Sequence, residues 1–335
     1  YADIDMLSNF AEDKDKNGEA HNYNGIDSEG VPQENSLPVI EGNITVEGNV
    51  YEDSANNVKS YFPNLKLNIN GLFYFRFADP EVNRIVSENF GDGNGIIESE
   101  ISKIKSIDGI FNNNQLIRTF EEFEKFTGVT SIGVDDVNGN NTSFYNTSLE
   151  IIKLPNTLIN IKNLSFHNSI KLSSINLDNI ESIGRQAFRK CEGLKIEINC
   201  PKLKEIEAGA FNSSGITKVI SLGTITQFDA IDYNYDSNSV FAYCKNLTYV
   251  NLPETLTNIS HGLFIGCSSL KVVKILAITP PTLENENAFS NTYSNLKIYV
   301  PDDSVEAYRT ATNWSTYADR IHPLSEYVEG EEDEE

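Results

Sequence analysis

Apolar residues recur along residues 130–297 in units of about 22 positions. The clearest unit is LTYVNLPETLTNISHGLFIGC, residues 247–267, and residues 172–191, LSSINLDNIESIGRQAFRKC, repeat its pattern. Each unit opens with an alternating stretch such as YVNL or SINL, which is typical of a short half-buried strand. Leu154-Pro155 and Leu252-Pro253 follow two of these stretches. Because proline lacks the amide N–H that a strand ladder needs, each strand is predicted to end there.

A phenylalanine follows the second apolar pair of each unit. Consecutive phenylalanines are separated by 22, 22, 23, 30, 23 and 25 positions. They are Phe144, Phe166, Phe188, Phe211, Phe241, Phe264 and Phe289. One such unit cannot bury its apolar face alone, so neighbouring units must stack into a continuous core. The seven phased copies therefore predict a solenoid.

The repeat can be written L-x-x-I-x-L-P-x-x-L-x-x-I-x-x-x-A-F-x-x-C-x-x-L, and it resembles the BspA-like class of bacterial leucine-rich repeats. The resemblance implies an α/β, β-rich, right-handed leucine-rich repeat solenoid with an N-terminal β/helical segment and a C-terminal cap. Residues 296–324 resemble the family's end. A short helix at 304–311 is expected there, with Trp314, Tyr317 and Ile321 packed over the last repeat. Residues 77–90 and 119–133 resemble the helical segment that often precedes these repeats.

The chain is expected to divide into six parts. Residues 1–36 form an acidic polar segment and residues 37–78 a small β segment of three or four strands joined by glycine-containing turns. Residues 79–129 are interpreted as a helical N-terminal cap and residues 130–297 as the solenoid. Residues 298–324 form the C-terminal cap, and residues 325–335 an acidic tail that is expected to be solvated.

Three of the four cysteines hold the same position in their units, three residues after the phenylalanine. Cys191, Cys244 and Cys267 stand where other units have serine or threonine. Adjacent turns lie about 4.7–4.9 Å apart at their strands, so distance leaves a Cys244–Cys267 disulfide open. Small buried thiols are the favoured interpretation, and Cys200, outside the column, is interpreted as a free core thiol.

Two further features interrupt the repeat or precede it. Between Phe211 and Phe241 the unit is longer, and the inserted residues 227–239 carry Tyr233 and Tyr235. Insertions in repeat proteins often emerge on a binding face, although a drifted loop explains this one equally well. Near the start, Asp13, Asp15 and Asn17 match the first half of a calcium loop, but Asn24 replaces its final glutamate. A degenerate copy occupies residues 91–100. No cofactor is expected, with calcium at the first loop as the exception to test.

Charge and motifs narrow the class of function. The formal net charge of −23 disfavours binding to nucleic acid or to anionic lipid. No apolar run is long enough to span a membrane. Nucleophile-elbow, HExxH and P-loop motifs are missing, so no enzymatic activity is expected. A hydrolase with dispersed carboxylates stays an alternative, because glycosidase acids share no short motif.

The outward strand positions predict a ligand-binding row on the concave face of the solenoid. It comprises Lys153, Asn176, Glu197, Asn251, Lys274 and Tyr299, with Tyr249 beside it. Amides and aromatic faces suit glycans or polar protein surfaces, although ordinary solvated strand residues are the simpler interpretation. The family resemblance implies an exported, extracellular or cell-surface protein, in many members lipid-anchored. The expected function is adhesion or protein/glycan binding by a monomer, and the alternative is a structural spacer or assembly subunit on the envelope. The chain begins at Tyr1 without a signal peptide, as expected of a mature or trimmed protein.

Overall fold

The structure is a computed structural model, and its chain divides into two compact units. One comprises Tyr1–Arg76 and Val86–Glu100, and the other Phe77–Ile85 and Ile101–Glu335. The structure describes residues 74–93, 95–135, 142–228 and 239–333, together with the backbone of six strands before residue 76.

Among its described residues, the first unit has seven short strands: β1 (Glu12–Lys14), β2 (Ala20–Asn22), β3 (Asn43–Glu47), β4 (Val50–Tyr51), β5 (Lys66–Asn70), β6 (Phe73–Phe75) and β7 (Ile96–Ile97). Strands β1 and β2 form an antiparallel pair, as do β6 and β7. For residues 37–78, where three or four strands are predicted, the described part of the chain shows four, β3 to β6. They pair in parallel, with Asn43 opposite Lys66 and Val50 opposite Phe73, 23 positions apart in both pairs. Parallel strands at one fixed offset are the arrangement of a solenoid turn, which the alternation of this segment alone does not predict.

Helix α1 (Pro80–Phe90) begins where the sequence carries a strong start signal. Asp79 precedes the helix, and its Oδ1 accepts the amide hydrogens of Glu81 (2.9 Å) and Val82 (3.3 Å). Pro80 follows in the first helical position, where a missing N–H costs nothing. The other Asp79 oxygen accepts the amides of Arg118 and Thr119, at 2.7 and 3.1 Å. A single carboxylate therefore caps the helix and fixes the chain where the first strand of the second unit begins.

Helix α2 (Glu98–Ile101) is a single turn, and the rest of the predicted helical cap is not α-helical. Residues 119–133 form strand β8 (Thr119–Phe120), a 3₁₀ helix at Glu121–Lys125 and strand β9 (Ser131–Ile132). The 3₁₀ turn buries Phe123, and Phe77, Phe120 and Phe126 pack around it, with ring centroids 5.1–6.0 Å apart. The four buried rings form an aromatic cluster in this part of the core.

The solenoid predicted from the repeats is confirmed. One set of parallel strands forms the strand sheet and a second set forms parallel sheets on another side of the coil, and an isolated bridge replaces a strand at Ser174 and at Gln227. The strand-sheet members are β13 (Glu197–Asn199), β15 (Lys218–Ser221), β16 (Tyr249–Leu252), β18 (Val272–Ile275) and β20 (Lys297–Val300), while β10 (Ile151–Ile152) pairs with β8. The second-sheet members are β9, β11 (Asn160–Ile161), β12 (Ser182–Ile183), β14 (Glu205–Ile206), β17 (Asn258–Ile259) and β19 (Thr282–Leu283). Their pairings are parallel and join equivalent positions of successive units.

The repeat phenylalanines form one continuous stack along the core. From Phe144 to Phe289 neighbouring ring centroids lie 5.0–5.8 Å apart, with interplanar angles of 4–24°. In most units the carbonyl of the residue before the ring accepts the preceding phenylalanine's amide, as in Phe188 N–H to Ala210 O at 2.7 Å. The stack starts one ring earlier than predicted: Phe111 lies 5.4 Å from Phe144 at 19°.

The residues two positions after each stacked phenylalanine form a second column along the coil. All eight of its members have positive φ, between 53° and 73°: Asn113, Asn146, Asn168, Lys190, Ser213, Tyr243, Gly266 and Asn291. Asparagine and glycine tolerate this conformation best, which explains why they supply five of the eight positions. Asn146 Nδ2 donates to Asn113 Oδ1 at 2.9 Å, and Asn168 Nδ2 to Asn146 Oδ1 at 2.7 Å. The first three members therefore form an amide ladder along the turns.

The four cysteines are free and buried, as the sequence interpretation favoured. Cys191 donates to Phe166 O, Cys244 to Phe211 O and Cys267 to Phe241 O, each across 3.0 Å. Burial raises the pKa of the Cys200 thiol to about 12 and that of Cys191 higher still. The column thus satisfies buried carbonyl groups, and serine or threonine does the same in other units.

The C-terminal cap forms as predicted. A 3₁₀ turn at Asp302–Ser304 leads into helix α3 (Val305–Thr310), a 3₁₀ helix at Trp314–Arg320 and strand β21 (Ile321–Pro323). Trp314 and Tyr317 pack on Phe289 at 6.0 and 5.1 Å. Strand β21 pairs with β20, so it adds a further strand to the strand sheet. Two 3₁₀ turns, Leu324–Glu326 and Glu331–Asp333, follow it.

Candidate ligand-binding face

The outward positions of the strand sheet form two parallel rows. Val219, Val250, Val273 and Ile298 are paired in register and fully buried, so their neighbours on either side point away from the core. The first row contains Glu197, Lys218, Tyr249, Val272 and Lys297. The second contains Asn251, Lys274, Tyr299 and His322. The structure therefore brings Asn251, Lys274 and Tyr299 together, with Tyr249 beside them.

The sequence pattern predicted Glu197 in the row of Asn251, but in the structure Glu197 lies in the first row. It pairs with Lys218, which pairs with Tyr249, so Glu197 belongs to the first row and not to the row of Asn251. Its unit has one more residue between Leu194 and the buried Ile198 than the unit from Leu247 to Val250. Because side chains alternate between the two faces of a strand, one extra residue moves the whole set by one position.

Two predicted residues in the earlier units already have partners within the fold. Lys153 Nζ lies 2.7 Å from Glu121 Oε2, and that carboxylate raises the pKa of the lysine. The Asn176 amide bonds to the backbone of the preceding unit, accepting from Leu154 N–H at 2.7 Å and donating to Leu154 O at 3.1 Å. Asn176 therefore aligns neighbouring strand ends, as Asn251 does through Ile220 O at 3.2 Å.

The acidic tail was expected to be solvated, and the structure instead packs it against the strand sheet. Tyr327 contacts Tyr299 and Tyr249, with centroid distances of 5.4 and 6.3 Å. Lys274 Nζ lies 4.4 Å from the centre of the Tyr327 ring. Tyr249, Val272 and Tyr299 point outward, yet only 9%, 1% and 2% of their surfaces are exposed. Three of the seven predicted residues, Tyr249, Lys274 and Tyr299, therefore contact the chain's own tail.

Ion pairs hold the two sides of this contact together. Lys218 Nζ lies 3.0 Å from Glu332 and 2.8 Å from Asp333, and Lys297 Nζ lies 2.6 Å from Glu331. The paired carboxylates raise the pKa of both lysines. Burial raises the pKa of Tyr299 to about 12, so its hydroxyl stays protonated at neutral pH. The covered surface thus combines protonated lysines with neutral phenol rings, which is a combination that favours anionic aromatic groups.

Several predicted site residues lie outside the described part of the chain. Tyr233 and Tyr235 are among them, as are Asp15 and Asn17. Only the backbone of Asp13 is described, within β1. Calcium binding at Asp13, Asp15 and Asn17 stays a prediction. In the degenerate second loop, the Asp92 carboxylate accepts hydrogen bonds from the Tyr74 hydroxyl and from Gly95 N–H, the latter at 3.3 Å. The loop therefore keeps its turn, as expected.

Two cavities among the described residues carry titratable side chains. A cavity of about 540 Å³ is lined by Glu192, Lys245 and Tyr243 among others, and one of about 370 Å³ by Glu286, Arg320 and Tyr317 among others. Neither lining brings two carboxylates together, as a glycosidase requires. The described residues also contain no group of three metal-ligating side chains. His167 lies on the turn after Phe166, where burial and the nearby Arg189 and Lys190 lower its pKa to about 4.

A comparison with known protein families agrees with the repeats seen in the structure. Residues 120–238 and 234–317 match the family described as BspA type Leucine rich repeat region, in six copies, over more than half of the chain. The chain belongs to the BspA-type leucine-rich repeat family. The resemblance seen in the sequence is thereby confirmed, and the family supports a repeat-based binding or structural role for the chain.

The wider comparisons add little to the family assignment. A leucine-rich repeat protein from Bacteroides ovatus ATCC 8483 is 24% identical, with a TM-score of 0.34. The alignment covers 52% of this chain and 49% of that one, so it spans about half of the solved protein. A search of curated proteins finds no match. No helix among the described residues of this BspA-type protein is long and apolar enough to cross a membrane.

Proposed function

We propose that the chain is a non-enzymatic, exported scaffold at the cell surface that binds a protein or glycan through its strand sheet. The observation that supports this is the pair of outward rows. They present lysine and tyrosine side chains at the regular spacing of a parallel ladder, about 4.8 Å. Tyrosine is enriched at recognition surfaces because its rigid ring offers a large contact at a small loss of conformational freedom, and the lysines add charge that attracts acidic partners.

The rigidity of the BspA-type core favours extended contacts over a closed pocket. The phenylalanine stack and the ladder of free thiols and hydroxyls fix each turn against the next, so the outward rows hold their spacing without a ligand. A preorganised surface loses little entropy on binding. The cell-surface location and the adhesive role rest on the family, whose members are typically exported.

An array of glycans and host proteins, probed with the intact chain, tests this function. A true ligand should bind more weakly to the variants Lys153→Ala and Lys274→Ala, which remove the two cations of the ligand row predicted from the sequence. The matched control is Lys245→Ala, on an exposed turn away from the strand sheet. Equal loss of binding in the control, or none in either row variant, would show that the ligand lies elsewhere. An array without any ligand would favour the structural spacer.

A further inference from the structure

Residues 324–333 lie across the outward rows of the strand sheet, and we call them the C-terminal segment. Their sequence, LSEYVEGEED, contains one tyrosine and five carboxylates. The segment covers Lys218, Tyr249, Val272, Lys274, Lys297 and Tyr299, which we call the covered face. Leu324 and Tyr327 pack against its apolar centre.

Three lysines on the covered face meet acidic or aromatic groups of the segment. Lys218 contacts Glu332 and Asp333, Lys297 contacts Glu331, and Lys274 stands over the Tyr327 ring. The Tyr327 hydroxyl also donates to Glu332 Oε2 at 3.1 Å, which fixes the carboxylate beside the ring. In a chain with a formal net charge of −23, this cationic cluster is locally opposite in sign to the molecule as a whole. Such a cluster attracts acidic partners from a surface that otherwise repels them.

The segment is attached to the covered face by side chains and not by a backbone ladder. Ser325 N–H donates to Asp302 Oδ1 at 3.0 Å, near the end of the cap. Beyond Ser325, the backbone hydrogen bonds that the structure describes are local: Tyr327 to Leu324, Glu331 to Val328 and Asp333 to Gly330. A contact made of a few ion pairs and one aromatic anchor opens at a small fraction of the global unfolding free energy. The segment can therefore leave while the solenoid stays folded.

If the C-terminal segment leaves the covered face, it exposes an apolar surface that is unusual on a face in constant contact with water. Tyr249, Val272 and Tyr299 form a contiguous apolar patch rimmed by Lys218, Lys274 and Lys297. Contiguous apolar patches with a charged rim are typical of protein interaction sites. The occupant seen in the structure is a peptide, so the geometry favours a polypeptide partner over a glycan.

We propose that the covered face is a recognition site for acidic, tyrosine-bearing polypeptide segments, and that the C-terminal segment occupies it as an internal competitor. The partner inserts its tyrosine between Tyr249 and Tyr299 and places carboxylates on Lys218 and Lys297, as the segment does. The proposal rests on the proposed function, since it names the partner class of the strand sheet. Its partner must displace the segment, so affinity depends on how firmly the segment is held.

A labelled peptide tests the competition directly. The probe is a fluorescein-labelled synthetic peptide of residues 324–335, and fluorescence anisotropy measures its binding to the full chain. The loosened variant carries Tyr327→Ala, Glu331→Gln and Glu332→Gln, which remove the anchor and two ion-pair partners. It should bind the peptide at least about tenfold more tightly than the unchanged protein, because its own segment no longer competes. Binding should weaken as salt rises from 50 to 500 mM.

Two further pairs of substitutions, each made in the loosened variant, locate the site that the peptide binds. Lys218→Glu with Lys297→Glu should abolish binding, whereas Lys171→Glu with Lys245→Glu, on exposed turns, should leave it unchanged. A second peptide with alanine at the tyrosine position should compete at least about tenfold less well. The proposal is overturned if the loosened variant binds no more tightly than the unchanged protein. It is equally overturned if the two lysine pairs behave alike.

A measurement on the unchanged protein covers the case in which a variant does not fold. Saturating peptide should accelerate hydrogen exchange at residues 326–333 and leave exchange in the Phe188 turn unaltered. Unaltered exchange at residues 326–333 under saturating peptide would overturn the competition. An array ligand that depends on Lys153 but is indifferent to the peptide would overturn this inference alone and leave the proposed function standing.

Discussion

The thiol of Cys191 donates a hydrogen bond to the carbonyl oxygen of Phe166, 3.0 Å away and one repeat earlier. In the preceding pair of units, the Ser169 hydroxyl makes the same bond to Phe144 O at 2.7 Å. In these two units the side chain three residues after the phenylalanine therefore donates to a buried carbonyl of the unit before it. The position needs a small donor, and the identity of the donor atom matters little.

The first prediction concerns Cys191. Cys191→Ser should change the free energy of unfolding by less than about 1 kcal/mol, because the hydroxyl restores the bond. Cys191→Ala should lower it by about 1–2 kcal/mol, because the donated bond and the packing of the sulfur are both lost, while Phe166 O keeps the Ser169 N–H at 3.0 Å. Urea unfolding followed by far-ultraviolet circular dichroism measures both. Equal losses in the two variants would show that packing of the sulfur, and not the donated bond, stabilises the turn.

The second prediction concerns Lys190, which has φ of 61° in the left-handed column. Asparagine tolerates this conformation better than lysine, and in the three upstream units it forms the amide ladder that ends at Asn168. Lys190→Asn should therefore raise the free energy of unfolding by about 0.5–1 kcal/mol. The control is Lys195→Asn, which removes the same charge from an exposed position without positive φ. An equal gain in the control would assign the effect to charge instead.

Much of the fold was predictable because the interior repeats. A buried ring recurs every 22 or 23 residues wherever a turn has standard length, so Phe166, Phe188 and Phe211 specify their own positions. Phe111 escaped prediction because 33 residues separate it from Phe144. The spacing pattern disappears across that gap, although the rings still stack.

The candidate face was less predictable, for two reasons. Glu197 was misplaced by one row because a single extra residue reverses the alternation of a strand, and no motif marks such an insertion. The covering of Tyr249 and Tyr299 depends on contacts over a long sequence separation, such as Lys218 with Glu332, 114 residues apart. An acidic, glycine-containing tail has the composition of a solvated end, and its contacts follow from tertiary structure alone.

The third prediction is a pH dependence set by His167. Its pKa falls to about 4 in the folded protein, because burial and the neighbouring cations Arg189 and Lys190 oppose its charge. In the unfolded chain an ordinary histidine has a pKa near ~6.5. Between these values the unfolded state binds more protons, so stability is complete above pH 6.5 and is lost as pH falls toward 4.

Replacing the imidazole should remove that dependence. His167→Gln should flatten the stability profile between pH 6.5 and 4. The limit for one proton is about 1.4 kcal/mol per pH unit, and the partly exposed ring should show less because solvent screens it. Unfolding midpoints in urea at several pH values measure the change. His322→Gln, in the cap, serves as the control, and identical profiles for the His167 variant and the unchanged protein would contradict the prediction.

The fourth prediction concerns the cap over the last repeat. Tyr308 is fully buried, and its hydroxyl donates to Ala277 O at 2.7 Å. Its ring lies 5.2 Å from Trp314, the only tryptophan in the chain, whose Nε1 donates to Pro281 O at 2.8 Å. Tyr308→Phe keeps the packing and removes one buried donor, so it should lower the cap's stability by about 1–2 kcal/mol.

Tryptophan fluorescence separates that local effect from global unfolding. Because units of a solenoid contact only their neighbours, the end can loosen before the centre does. The fluorescence midpoint of Tyr308→Phe in urea should therefore shift more than the midpoint measured by far-ultraviolet circular dichroism. Tyr145→Phe is the matched control, since the structure gives its half-buried hydroxyl no hydrogen bond among the described residues, and neither midpoint should move. If both midpoints of Tyr308→Phe shift together, the cap and the repeats unfold as one cooperative block.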